Sequence, residues 1–120
     1  MNRSTLRLAI IVLTLATALI HFSLVPSTMA QMGLGGALPF ILNGLGYLTL
    51  LVVYCKWVPV PVIKISDAVL TYIFMGFAAV TIVAYFAVNG AASLSIPLGL
   101  ADKVIEVLLI AALWLHSRAA

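Results

Sequence analysis

Apolar residues run along this chain in four long stretches, each interrupted by polar side chains only at intervals of three or four. A helix that crosses a bilayer needs about 20 mainly apolar residues, and four segments meet that length. The pattern predicts helices over residues 5–25, 37–55, 66–89 and 97–116. The first ends at Pro26-Ser27. The second ends where Lys56-Trp57-Val58-Pro59-Val60-Pro61 intervenes, since each proline disfavours helix in the residue before it. Ser66 suits an N-cap, with Asp67 in the first turn of the third helix, and Asn89-Gly90 is a stop signal. Pro97 suits the first turn of the fourth. The Gly-rich, uncharged stretch 26–36 reads as a linker. The expected fold class is therefore all-α: an integral membrane four-helix bundle, a single transmembrane domain over residues 1–120.

Arg3 and Arg7 followed by an apolar run, with Thr28-Met29-Ala30 beyond it, also resemble a secretory signal. The run from Leu8 to Val25 is long for a signal core and about right for a span, so it is read as the first helix.

Composition points the same way. Of 120 residues 65% are hydrophobic and only 8% charged, against roughly a quarter charged in soluble domains. So small a water-soluble domain has too much surface for its volume to hide that apolar content. Six basic and three acidic residues give a net charge of +3. They are spread out, with no basic stripe and no nucleic-acid footprint.

Their positions carry topology instead. With four crossings, Arg3, Arg7, Lys56, Lys64 and Arg118 fall on one side, and the opposite connections, 26–36 and 90–95, are uncharged. The positive-inside rule puts both termini in the cytoplasm, with Tyr54, Trp57, Tyr72 and Trp114 as an interfacial aromatic belt. The expected location is a multi-pass plasma membrane protein, of a bacterial or archaeal kind. Cys55 is the single cysteine, so neither an internal disulfide nor a paired-cysteine zinc site can form.

Each predicted helix has one more polar stripe: Thr14, Thr17 and His21; Asn43, Tyr47 and Tyr54; Asp67, Thr71, Ala78, Thr81 and Tyr85; Asp102, Glu106 and His116. Such stripes usually face other helices in membranes. Depth sharpens the picture. At 1.5 Å per residue, His21 lies roughly 21 Å from Arg7, Asn43 roughly 20 Å from Lys56, Glu106 roughly 18 Å and Asp102 roughly 24 Å from Arg118. If these faces meet, His21, Asn43, Asp102, Lys103 and Glu106 form one intramembrane polar cluster in the outer half of the bilayer. Charge is costly there and normally marks a pathway or a site. Lys103, three residues before Glu106, is one candidate partner for it and His21 another. The alternative has helix four starting only at Asp102, leaving this trio as a solvated first turn.

The size and four-helix layout are similar to small multidrug-resistance transporters, which carry an essential carboxylate in the first helix. Here that helix has none, and His21 and Glu106 are the nearest substitutes. Three functions follow as expectations. One is a structural or accessory subunit of a larger membrane complex, docking through apolar faces. A second is a homo-oligomeric proton- or cation-coupled transporter or channel using Glu106 and His21. A third is a haem- or pigment-binding protein using His21 as ligand. No nucleophile–base pair, metal cluster or phosphate loop is legible that would make the chain an enzyme. The expected partners are the lipid bilayer and either other membrane subunits or further copies of this chain.

Overall fold

The computed structural model describes residues 1–58 and 65–119. Among these the chain is helical: α1 (Arg3–Ser23), α2 (Val25–Tyr54), α3 (Asp67–Asn89), a 3₁₀ segment (Gly90–Ser95) and α4 (Pro97–Arg118). The prolines at 59 and 61 and the basic Lys64 lie outside the described residues. Local chemistry explains the ends. The Asn2 side chain accepts from the Thr5 N–H at 2.8 Å, and the Ser66 hydroxyl accepts from the Val69 N–H at 3.2 Å. Both satisfy donors that a helix start leaves unpaired. The α3 terminus follows the Asn89-Gly90 signal, with Gly90 at φ +55°.

The expected linker over 26–36 is a correction. Helix resumes at Val25, one residue after α1 ends, with Pro26 in its first turn. Its only non-helical residue is Gly33 (φ 68°, ψ −166°), a conformation open essentially to glycine alone. A short helical arm, 25–32, therefore precedes the long segment 34–54. Inside that segment Pro39 withholds the N–H that the Gly35 carbonyl would take.

α1 packs along α4 and α2, and α3 packs on α4, while α2 and α3 meet over a shorter stretch. Ile10, Tyr47, Leu51, Phe74, Ala78, Leu109 and Leu113 form the shared core. Glycines permit two of the closest approaches. A Cβ at Gly44 would sit 2.7 Å from the Phe22 ring, and one at Gly46 would sit 2.5 Å from the Phe77 ring.

The surface is apolar as well as the core, unlike that of a protein folded in water. Thr14, Thr17, Ser93 and Glu106 are fully buried, whereas Leu8, Val12, Leu15 and Leu19 form an exposed stripe down α1. Exposed valines and leucines likewise cover α3 and α4. α1, α2 and α3 are each long and apolar enough to cross a membrane. α4, at 22 residues, matches them in length but carries Asp102, Lys103 and Glu106 in its first half. Those three charges are turned inward.

Candidate functional site

α4 begins at Pro97, a turn and a half before Asp102, so the charged trio is not a solvated first turn. Asp102, Lys103 and Glu106 are all buried, and Glu106 has no exposed surface. Asp102 and Glu106, four residues apart, share one face of α4. α1 presents Thr17 and His21, also four apart, to the same place, and α2 presents Tyr47.

The contacts form one network. Thr17 donates its hydroxyl to Asp102 Oδ1 at 2.6 Å. His21 Nδ1 lies 2.7 Å from the Thr17 carbonyl oxygen. A carbonyl only accepts, so Nδ1 carries a hydrogen. That fixes the other ring nitrogen, Nε2, as the atom facing Asp102 Oδ2, at 3.6 Å. An unprotonated Nε2 against an ionised carboxylate would set two electron-rich groups face to face. The pair is favourable when one further proton lies on either partner. Lys103 Nζ is 3.1 Å from the same Asp102 Oδ2 and also donates to Glu106 Oε1. Glu106 Oε2 accepts from the Tyr47 hydroxyl.

Aromatic rings enclose the ions. The Tyr47 ring meets the Phe77 edge at 4.8 Å between centroids and lies 5.9 Å from His21. Lys103 Nζ lies 5.1 Å from the Tyr85 ring centre, within cation–π range. Tyr85 is itself tied to the 3₁₀ segment through its hydroxyl, which donates to the Ser93 carbonyl at 2.6 Å. Gly99 makes room for it, since a Cβ there would lie 2.5 Å from the Tyr85 hydroxyl.

Counted formally, Asp102 and Glu106 contribute −2 and Lys103 +1. One more positive charge, such as a proton on the His21–Asp102 pair, closes the cluster at zero. Ligand atoms of His21, Asp102 and Glu106 lie within 4.8 Å of one another, close enough for one cation to touch all three. Lys103 already bridges the two carboxylates, so a cation would have to displace its ammonium.

Of the five residues expected to share the site, His21, Asp102, Lys103 and Glu106 are brought together. Asn43 is directed elsewhere: its Nδ2 donates to Thr81 on α3 at 3.1 Å, and its Oδ1 is buried without a partner. Tyr47 and Thr17 are the residues that the site adds. Both stand in the predicted polar stripes, and their spacing of four from Asn43 and His21 was the available signal. As a haem or pigment ligand His21 would have to offer Nε2, the atom that faces Asp102. His116 lies three turns beyond Glu106, with Nδ1 2.5 Å from the Tyr54 hydroxyl.

Comparison with protein families, curated proteins and solved structures gives no match.

Proposed function

We propose that this chain is an integral membrane protein whose four helices cross the bilayer as a bundle, both termini cytoplasmic, and whose buried cluster exchanges one proton or small cation during transport. Support for the membrane comes from the apolar surface, the inward-turned charges and helix length. α1, α3 and α4 have 21, 23 and 22 residues, or roughly 31–35 Å at 1.5 Å per residue, against a hydrocarbon core of about 30 Å. α4 can join the other three because Thr17, His21 and Tyr47 receive its charges inside the bundle.

The observation that carries the transport proposal is the charge of the cluster. Two carboxylates and one ammonium, buried with a histidine whose free nitrogen faces a carboxylate, leave one positive charge to be supplied. A purely structural ion pair would need only one carboxylate for Lys103. The second carboxylate and the imidazole make the site a place where a proton is held or given up. A single bundle has little room for a pore, so the working unit is a homo-oligomer.

The test is reconstitution into liposomes carrying an internal pH dye, with an imposed proton or sodium gradient. Wild type should collapse the gradient faster than Glu106→Gln, with both proteins equally folded by circular dichroism. Equal rates for the two proteins, or a wild-type rate equal to that of protein-free vesicles, would overturn the transport role. The exposed apolar stripes of α1 and α4 suit a second role, docking as an accessory subunit in a larger membrane assembly. Stoichiometric unrelated chains in a gentle-detergent purification would favour that role, and a bare homo-oligomer would exclude it.

A further inference from the structure

The opposite end of the helices holds a separate cavity of about 510 Å³. Arg3 and Arg7 from α1, Tyr54 at the end of α2 and Lys56 just beyond it, Asp67 and Thr71 from the start of α3, and His116 and Ser117 from α4 all line it. Three cations and one carboxylate give its described lining a formal charge of +2 with His116 neutral. Lys56 and Asp67 pair at 3.4 Å, both exposed. The two guanidiniums are held in place by backbone: Arg3 donates to the His116 carbonyl at 2.9 Å, and Arg7 donates to the Cys55 carbonyl at 3.2 Å. Each closes the C-terminal end of a helix, where cations are favoured.

Those bonds use one terminal nitrogen of each guanidinium. A guanidinium carries five N–H donors in a rigid fork, so each retains donors for a ligand. The hydroxyls nearby are already engaged, Thr71 donating to the Asp67 carbonyl, Ser117 to the Trp114 carbonyl and Tyr54 paired with His116 Nδ1, so the guanidiniums and Lys56 are the groups left for a ligand. A net positive cavity with two backbone-anchored guanidiniums suits a phosphate-type anion. With the helices crossing the bilayer as proposed above, this end lies at the level of lipid headgroups. Trp57, Tyr72 and Trp114 are exposed at this end of the helices, and Arg118 stacks on Trp114 at 4.2 Å. Basic pockets between membrane helices at the cytoplasmic face take anionic headgroups.

We propose that the cavity at the basic end of the helices, lined by Arg3, Arg7, Lys56, Tyr54 and His116, binds a phosphate-bearing anion. Its source is the headgroup of an anionic phospholipid or a soluble phosphate. This site is independent of the buried cluster and of its transport role.

The test uses the full chain in a neutral detergent. Thermal unfolding and native mass spectrometry are followed with phosphatidylglycerol, phosphatidylcholine or inorganic phosphate added separately. Phosphatidylglycerol should raise the midpoint and stay bound, while phosphatidylcholine should do neither. If inorganic phosphate stabilises as well as phosphatidylglycerol, the ligand is a soluble phosphate; if it does not, the ligand is lipid. Lys56 is exposed, so Lys56→Gln should leave the fold intact and weaken binding roughly fivefold, the share of one interfacial cation. Arg7→Gln should weaken it more and Arg7→Lys less. Equal binding of phosphatidylglycerol and phosphatidylcholine with no effect of inorganic phosphate would overturn the proposal. So would unchanged anion binding in Lys56→Gln and Arg7→Gln together.

Discussion

Tyr47 on α2 donates its hydroxyl to Glu106 on α4, and neither residue has any exposed surface. The bond ties together two helices that are not neighbours in the chain, at the one carboxylate sealed completely from solvent. Replacing Tyr47 with Phe keeps the ring against Phe77 and removes only the donor. The change should destabilise the fold by about 1–2 kcal/mol, between the values for hydrogen bonds to charged groups and for interhelical bonds in membranes. The loss should roughly halve in a Glu106→Gln background, because a neutral acceptor bond is about half as strong. Thermal unfolding of the four proteins of this cycle decides it, and full additivity would mean that the charge on Glu106 adds nothing to the bond.

Lys103 is the only cation that the cluster supplies for two carboxylates. Lys103→Met leaves Asp102 and Glu106 facing each other without it. Breaking a buried ion pair from one side costs about 3–5 kcal/mol, and the variant should unfold at a clearly lower temperature. Adding Glu106→Gln removes one of the stranded charges and should restore much of that stability. If the double variant is as unstable as the sum of the two singles, the ions are not coupled as their geometry implies.

Much of this site was legible from spacing. Thr14, Thr17 and His21 recur at threes and fours, and in the structure all three are buried. Counting 1.5 Å per residue from the basic ends put His21 and Glu106 at one depth, and their helices do meet there. Two things were not legible. Asn43 and Tyr47 share a stripe, yet the short amide stops at Thr81 while the longer phenol reaches Glu106. Side-chain reach and helix rotation decide that, and neither is written in periodicity. The second is the arm 25–32. Three glycines within 33–36 suggested a loop throughout, whereas only Gly33 leaves the helical region.

Gly33 and Gly35 stand two residues apart, and a Cβ at either would meet nothing within 4 Å. Only backbone conformation separates them. Gly33→Ala forces an alanine to φ 68° and should cost about 1–3 kcal/mol. Gly35→Ala replaces a helical glycine and should add up to about 1 kcal/mol of stability. Opposite shifts in Tm are the expected result, and shifts of the same sign would show that the break at Gly33 is not a fixed feature.

Gly99 lies directly under Tyr85. Its Cβ would lie 2.5 Å from the Tyr85 hydroxyl and 2.7 Å from the ring, so Gly99→Ala must push Tyr85 aside. That ring covers Lys103, and its hydroxyl holds the Ser93 carbonyl of the 3₁₀ segment. Overpacking of this kind costs about 1–3 kcal/mol, and the fall in Tm should come with access to the cluster from this end. A water-soluble amine-reactive reagent should label Lys103 faster in Gly99→Ala than in wild type. Tyr85→Phe keeps the ring over Lys103 and loses only the Ser93 bond, so its labelling should be intermediate. A lower Tm with labelling unchanged in both variants would show that Tyr85 packs beside the cluster without closing it.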